Sequence, residues 1–316
     1  MIVRAFFVVW FLPLMIAWGQ EPRRQELVAE ARAGRPGPWD QDVAVWRVGR
    51  DGIVERLGVF ERAGVATLAR LKDGRLLAAH QHFPADSAAD FDKVAVHFSE
   101  DDGRNWTRPQ VIQLTGLPEG MRFPFDPTLV PLPDGQVRLY FTSLRGRQTP
   151  QSVPGIYSAL SKDGIHYEFE PGMRFGIDGR RVIDCAVVLH RGVFHLFAPD
   201  NGAAGRRSED SEAMDGRGYH AVSDDGLNFR RVDDVQIEGR HRQWLGCAQS
   251  DGQVITFYGT GDGVWTASSE DGVSWKPGST LGIRGADPGV ITLPDGSLVL
   301  VATTAPRPGT RSDRVR

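Results

Sequence analysis

The sequence of 316 residues has very little cysteine and no strong excess of charge. Its two cysteines, Cys185 and Cys247, are too few for the dense disulfide framework of a small secreted domain. The net charge of -3 offers no broad basic surface for binding nucleic acid. We therefore expect two free, buried thiols and no nucleic-acid partner.

Long hydrophobic runs are also scarce. One run, Ala5 to Trp18, follows the cation Arg4 and is succeeded by the small residue Gly19. It is shorter than the roughly 20 residues that span a bilayer, which favours a secretory signal peptide over an uncleaved anchor. We expect a signal over 1–19, a linker over 20–42 with one short helix from Gln25 to Gly34, and a secreted or periplasmic protein without a membrane partner.

Metal-binding motifs are absent as well. The histidines and cysteines show none of the spacings typical of a zinc site. We expect no metal and no other cofactor.

Glycine and proline, in contrast, are abundant, with 37 and 20 residues. This composition favours many short strands over long helices. A short sequence motif, the serine–aspartate phrase, also recurs. In it a serine lies two residues before an aspartate, a glycine follows the aspartate, and an aromatic residue lies three residues after the glycine. The four copies are Ser99 to Trp106, Ser161 to Tyr167, Ser223 to Phe229 and Ser269 to Trp275. Glycine permits positive φ and the Ser and Asp side chains bond the turn's amides, so each copy predicts a tight hairpin turn.

A second pattern gives the number of repeats. An apolar strand runs into a tight turn five times, at Gly74, Gly135, Gly192, Gly252 and Gly296. The intervals fit four-stranded blades with their loops. The fifth unit ends before an outer hairpin, which residues 43–57 can supply. We predict an all-β, five-bladed β-propeller over 43–305, closed by pairing of its N-terminal hairpin with its C-terminal strands, and a tail over 306–316.

Candidate site residues lie where the innermost strands begin. With the strands of a blade labelled A to D from the axis outward, alignment on the turn glycines gives Val65, Asp126, Asp184, Gln243 and Asp287 the same position in the five A strands. Three carboxylates at the mouth of an apolar channel are costly through repulsion and desolvation, which favours a functional use. The alternative is that each aspartate caps its own strand or pairs with a neighbouring arginine.

Other polar residues are predicted on the same face of the ring. The B–C loops are long in three blades, and long loops on a rigid scaffold concentrate binding residues. Arginines precede all five register positions and are candidates for orienting a substrate or neutralising the aspartates. The predicted substrate-binding residues are Arg62, Arg122, Arg181, Arg240, Arg284, Gln243, His80, His82 and Asp200. We interpret Trp244, which follows Gln243, as a core residue.

The four serine–aspartate phrases resemble the Asp-box, or BNR repeat, of sialidases and their relatives. Five blades with aspartates on inner strands are also similar to the five-bladed glycosidases, such as arabinanases, xylosidases and invertase relatives. In those enzymes three acidic residues on different blades act as nucleophile or base, pKa modulator and acid. The resemblance implies these catalytic roles for Asp126, Asp184 and Asp287.

Two features depart from these families. Sialidases have six blades and use a tyrosine–glutamate pair, whereas five blades are counted here. The five-bladed glycosidases normally use a glutamate as acid, and here the nearest glutamates, Glu61, Glu119 and Glu238, lie in D–A loops.

The function expected is a secreted, monomeric glycoside hydrolase-like propeller that takes a carbohydrate ligand, with anionic sugars among the candidates. A non-catalytic carbohydrate-binding or scaffold propeller is the alternative. A lyase or other non-hydrolytic enzyme is a third possibility, since one fold hosts many chemistries.

Overall fold

The computed structural model describes residues 21–35, 37–146, 149, 151–204, 216–239 and 241–304. The predicted signal and C-terminal tail lie outside these residues. No helix within the described ranges has the length and apolar character needed to cross a membrane.

The described residues fold into five mostly antiparallel sheets, which are the five predicted blades. Before the ring come helix α1 (Glu21–Arg32) and a short 3-10 helix (Pro38–Asp40). The strands are β1 (Asp42–Val48), β2 (Val54–Phe60), β3 (Ala63–Arg70), β4 (Leu76–His82), β5 (Lys93–Ser99), β6 (Gln110–Val111), β7 (Gln113–Thr115), β8 (Phe125–Pro131), β9 (Val137–Ser143), β10 (Gly155–Ser161), β11 (His166–Phe175), β12 (Ala186–His190), β13 (Val193–Pro199), β14 (Arg217–Ser223), β15 (Arg230–Arg231), β16 (Val235–Gln236), β17 (Gln243–Ser250), β18 (Ile255–Thr260), β19 (Trp265–Ser269), β20 (Lys276–Thr280), β21 (Ala286–Thr292) and β22 (Leu298–Thr304). Blade 1 is β3–β6, blade 2 β7–β11, blade 3 β12–β16, blade 4 β17–β20, and blade 5 combines β21 and β22 with β1 and β2.

Both ends of the chain meet in blade 5, as predicted. Strand β1 pairs antiparallel with β22, from Asp42 opposite Thr304 to Val48 opposite Leu298. This pairing satisfies the backbone groups that an open ring would expose at its edge. The five-bladed propeller and its mode of closure are therefore confirmed.

The four predicted serine–aspartate turns form between the C and D strands. In the third turn, Ser223 Oγ accepts a hydrogen bond from the Gly226 amide at 3.0 Å, and Asp225 Oδ1 accepts from Leu227 and Asn228. The glycines have positive φ, for example 70° at Gly226. The side-chain bonding predicted from the repeated phrase is therefore confirmed.

The glycine of each turn also packs against the preceding blade. A Cβ on Gly164 would lie 2.8 Å from Leu77 in the B strand of blade 1, and one on Gly272 would lie 2.5 Å from His195 in that of blade 3. In the same way, Gly103 approaches Val299 of blade 5, and Gly226 approaches Tyr140 of blade 2. Each turn thus fixes the contact between two blades.

The core lies mainly between neighbouring blades. Trp244 is fully buried and packs against Phe197, Phe257 and Trp265, which confirms its prediction as a core residue. Both cysteines are free, as predicted, although only Cys185 is buried and Cys247 is partly exposed.

The segment before the ring packs on one loop of blade 1. Leu27 of α1 and Trp39 form a buried cluster with Phe83 and Phe91 of the β4–β5 loop. The helix covers Glu21–Arg32 rather than the predicted range from Gln25 to Gly34. Because helix α1 packs on the β4–β5 loop, it lies beside the face of the ring that carries the long loops.

Candidate functional site

A shared backbone distortion marks the predicted register positions. Val65, Asp126, Asp184 and Asp287 have φ values of 46°, 50°, 65° and 52°. This left-handed region is uncommon for residues other than glycine, and such strain concentrates at functional sites. The common conformation confirms that these four residues are structurally equivalent.

Threonines near the ends of the B strands fix the distorted positions. The hydroxyl of Thr142 in blade 2 accepts a hydrogen bond from the Asp184 amide of blade 3 at 3.0 Å, and the hydroxyl also bonds the Asp126 carboxylate. Thr260 in blade 4 accepts from the Asp287 amide of blade 5 at 2.9 Å. Asp184 and Asp287 are therefore each attached to the blade that precedes them.

The three aspartates interact electrostatically. Burial, and then the charge of Asp287, raise the pKa of Asp126 to about 7, while nearby Arg122 opposes the shift. Burial raises the pKa of Asp287 to about 6. Burial, then Asp126 and Asp287, raise the pKa of Asp184 well above its usual value. The three carboxyl groups thus share one site, as their predicted convergence requires.

These carboxyl groups are recessed and form no ion pair within the described part of the chain. Asp126 is 7% exposed, whereas Asp184 and Asp287 remain partly accessible to solvent. Within the described ranges, none of the three forms an ion pair with an arginine or lysine. The structure therefore lacks the arginine pairing considered as the alternative, and the site can take up a proton at neutral pH.

A fourth carboxylate, Asp92, lies beside Asp126 and was missed in the sequence. Its charge raises the pKa of Asp126, and its carboxylate accepts hydrogen bonds from Arg122 Nη2 and Gln81 Nε2, both at 2.8 Å. The Arg122 guanidinium also lies over the Phe125 ring, 4.0 Å from its centroid. Asp92 ends the long B–C loop of blade 1. The sequences of the long B–C loops do not repeat between blades, so the repeat pattern held no signal for it.

The other predicted arginines do not form a ring around the aspartates. Arg62 Nε donates to the carbonyl of Phe83, and Arg181 Nη2 donates to that of Asn201. Both bonds attach a D–A loop to the long B–C loop of its own blade. Arg284 is exposed, and Arg240 lies outside the described residues. Among the described arginines of this set, Arg122 is the one whose charge acts on Asp126.

Gln243 is not equivalent to the aspartates. Gln243 pairs with Thr260 of the neighbouring B strand. In blades 2 and 5 the equivalent threonines pair with Phe125 and Ala286, the residues that directly precede Asp126 and Asp287. Gln243 therefore corresponds to the residue before the aspartate. The A–B turn of blade 4 is shorter than those of blades 1, 2 and 5, which shifted the sequence alignment by one position.

His80 and His82 belong to a different cavity, about 460 Å³ in volume, at the edge of the ring. Phe60 and Trp106 line the cavity with them. The two histidines are separated by two positions in β4 and therefore point to the same face of the blade. That face is turned toward blade 5 rather than toward the carboxylates.

Asp200 also contacts residues away from the axial carboxylates. It forms an ion pair with Arg180 and accepts a hydrogen bond from the Gly202 amide at 2.9 Å. Tyr219 lines the same peripheral cavity of about 220 Å³. The prediction that Asp200 joins the axial site is therefore wrong. Within the described chain, no group of three or more His, Cys, Asp or Glu residues is arranged to hold a metal ion.

Comparison with known proteins gives the fold a wider context. No family model and no curated protein match the sequence. A GH32 β-fructofuranosidase from Bombyx mori, in complex with sucrose, has a TM-score of 0.55 at 13% identity over 92% of this chain and 70% of that one. The α-L-arabinanase of Penicillium chrysogenum, complexed with arabinobiose, has a TM-score of 0.51 at 14% identity over 86% and 87% of the two chains. An α-L-arabinofuranosidase from Clostridium thermocellum gives 0.51 at 12% identity over 75% and 80%.

These similarities concern the fold. They support a five-bladed propeller fold and do not single out the sialidase type that the turns resemble. The chain is a five-bladed β-propeller of the architecture found in glycoside hydrolases.

Proposed function

We propose that this protein is a glycoside hydrolase that cleaves its substrate at the axial mouth formed by Asp126, Asp184 and Asp287. The observation that carries the proposal is that three recessed carboxyl groups interact with one another and, among the described residues, none of them forms an ion pair. Glycoside cleavage requires one carboxyl group that is protonated and one that is ionised near the same bond. The similarity to the sucrose- and arabinobiose-bound hydrolases supports the same class of chemistry.

The pKa differences suggest how the roles are divided. The pKa of Asp184 is raised by burial and by both other aspartates, so we assign it the role of general acid. Asp287, with a pKa of about 6, is ionised and serves as base or nucleophile. Asp126 has a pKa of about 7, and its charge modulates the pKa of the other two aspartates. Arg122, held by Asp92, orients the substrate.

The substrate we propose is a neutral rather than an anionic sugar. Arg62 and Arg181 are committed to loop carbonyls, and Arg122 is paired with Asp92. Within the described part of the chain, an anionic sugar would thus meet carboxylates without a free cluster of arginines. Sialosides belong in the test because the sequence left an anionic sugar open.

A carbohydrate-binding propeller without catalysis is the second candidate. The observation in its favour is that no glutamate is among the groups that shift the pKa of the three aspartates. In this case the carboxylates would accept hydrogen bonds from sugar hydroxyls without transferring a proton.

Activity on a panel of chromogenic glycosides separates the two functions. The panel contains α-L-arabinofuranosides, β-D-xylosides, β-fructosides and sialosides, and the proteins are the wild type, Asp184→Asn and the turn variant Asp225→Asn. Hydrolysis by the wild type and by Asp225→Asn, but not by Asp184→Asn, would support the enzyme. Calorimetric binding of a sugar without turnover would instead support the binding protein.

Export is part of the proposal and is tested separately. It rests on the signal-like segment 1–19, which lies outside the described residues. Expression of the full chain in a bacterial host, followed by N-terminal sequencing of the exported protein, should show cleavage near Gly19. Recovery of the uncleaved chain in the cytoplasmic fraction would contradict it.

A further inference from the structure

The segment before the ring is bonded to blade 1 next to the long B–C loop of that blade. The Gln41 carbonyl accepts a hydrogen bond from the Ala63 amide at 3.0 Å. Asp42, the first residue of β1, accepts one from the Arg62 amide through its carboxylate at 2.9 Å. Arg62 in turn donates from Nε to the carbonyl of Phe83, where the loop begins, at 2.6 Å. The end of the segment is therefore fixed beside the start of the loop.

Trp39 of this segment packs against the other end of the same loop. It is 4% exposed, and its indole N–H donates to the Arg35 carbonyl at 3.0 Å. The Trp39 ring centroid lies 5.9 Å from that of Phe91, which is 2% exposed. The Phe91 ring lies 5.5 Å from that of Phe83. Aromatic contacts at these distances stabilise a structure beyond the apolar area that they bury. The three rings thus hold the two ends of the loop together.

Asp92 follows Phe91 directly and lies beside the axial site. Its side chain is 9% exposed and pairs with Arg122 Nη2 at 2.8 Å. Its backbone has a φ of 60°, which is uncommon for a residue other than glycine, and its amide donates to the His82 carbonyl at 2.9 Å. A backbone of this kind persists where the surrounding contacts enforce it. The packing of the Phe91 ring and the ion pair with Arg122 supply such contacts for Asp92.

We propose that the segment before the ring is a positioning element of the axial site, in which Trp39, acting through Phe91, holds Asp92 against Arg122. Without the Trp39 ring, Phe91 would lose part of its cover, and the Asp92 carboxylate would become more mobile and more exposed to water. The charge of such a carboxylate is screened more strongly than that of a recessed one. The benefit to catalysis, orientation of the substrate by Arg122, rests on the proposed function, whereas the positioning of Asp92 can be measured without a substrate.

A double-mutant cycle measures whether Trp39 controls Asp92. Burial, and then the charges of Asp287 and Asp92, raise the pKa of Asp126. Arg122 lowers it, so this pKa reports on the position of both members of the ion pair. Asp92→Asn should lower the pKa of Asp126 in the wild-type background. In the Trp39→Ala background the same substitution should lower it by less than about half as much, because the charge it removes is already displaced and screened. Carboxyl ¹³C NMR titration gives the pKa in each protein.

Trp275→Ala is the matched control. It removes a partly exposed tryptophan from the blade 4 turn, where the ring packs against Phe197 and Trp244. In that background Asp92→Asn should keep its wild-type effect. A full effect of Asp92→Asn in Trp39→Ala would overturn the proposal, and so would an equal loss in both tryptophan backgrounds, which would indicate a general loosening of the fold. If the wild type hydrolyses no glycoside, the proposed function fails and this comparison still stands.

Phe91→Leu keeps the proposal testable if Trp39→Ala does not fold. Leucine preserves an apolar side chain in the cluster but removes the ring contacts with Trp39 and Phe83. The effect of Asp92→Asn on the pKa of Asp126 should again be reduced. An effect of wild-type size in the Phe91→Leu background would show that the aromatic contacts do not hold Asp92, and would overturn the proposal.

Discussion

The aspartates of the hairpin turns and those of the axial mouth occupy opposite electrostatic environments. In the turns, backbone amides bond the exposed carboxylates, which lowers the pKa of Asp225 below its usual value and that of Asp271 to about 2. In the mouth, burial and mutual repulsion raise the pKa of Asp126 to about 7 and that of Asp184 well above its usual value. The same side chain is thus stabilised as an anion in one region and destabilised in the other.

This difference separates residues that maintain the fold from residues suited to chemistry. Each turn satisfies its aspartate locally and fixes a contact between blades. The mouth brings three carboxyl groups together, with no ion pair to any of them among the described residues, and holds each on a strained backbone. Strain and unfavourable charge persist where the surrounding structure enforces them, and they concentrate at functional sites.

The largest expected difference between the two regions is in catalysis. Asp184→Asn should reduce turnover by about 10²- to 10⁴-fold, the usual contribution of general acid–base catalysis, because the amide cannot donate the proton in its place. Asp225→Asn should retain activity. Steady-state kinetics on the best glycoside of the panel provides the measurement, and equal losses in the two variants would remove the distinction.

Stability should change in opposite directions in the two regions. At pH 8, Asp126→Asn should raise the free energy of unfolding by roughly 1–3 kcal/mol, because it removes a buried charge whose pKa shift is worth about 1.4 kcal/mol per unit. Asp225→Asn should lower it by roughly 0.5–1 kcal/mol through weaker bonds to the amides. Urea denaturation measures both values, and a loss of stability in Asp126→Asn would contradict the electrostatic account.

The pH dependence of stability should show the same contrast. A group with a raised folded pKa stabilises the protein fully below its unfolded pKa of about 3.9, and this contribution is lost as pH rises through the folded value. The mouth should therefore contribute a decline in stability between about pH 4 and pH 7. The turn aspartates contribute the reverse, a loss as pH falls below about 4. Denaturant midpoints across this range should show a shallower decline in Asp126→Asn than in the wild type.

The smallest effects should come from substituting Arg122 or Asp92, which lie beside Asp126 and shift its pKa. Arg122 lowers the pKa of Asp126 and Asp92 raises it. Arg122→Met should therefore raise this pKa and Asp92→Asn should lower it, each by less than about one unit. Carboxyl ¹³C NMR titration measures both shifts. Movement in the same direction in the two variants would show that the pair acts through structure rather than through charge.

The sequence predicts the ring well because its signals repeat. Turn glycines and serine–aspartate phrases act locally, so they indicate blade number, closure and the equivalence of Asp126, Asp184 and Asp287. Gln243 was misplaced because the shorter turn of blade 4 moves the register by one residue.

The side-chain surroundings were harder to predict. Strand periodicity places His80 and His82 on one face of blade 1 but does not tell which neighbour that face meets. Asp92 lies in a B–C loop whose sequence does not repeat between blades, and Asp200 pairs with Arg180 away from the axial site. These contacts depend on how loops and blades pack, which a local pattern does not encode.

The central claim is that three aspartates from different blades titrate as one group. Carboxyl ¹³C NMR of Asp184 in the wild type and in Asp126→Asn tests it most directly. We predict a pKa well above the usual value of about 4 in the wild type and a lower one in the variant, since removing the Asp126 charge removes repulsion. A normal pKa in the wild type, or no change in the variant, would contradict the claim.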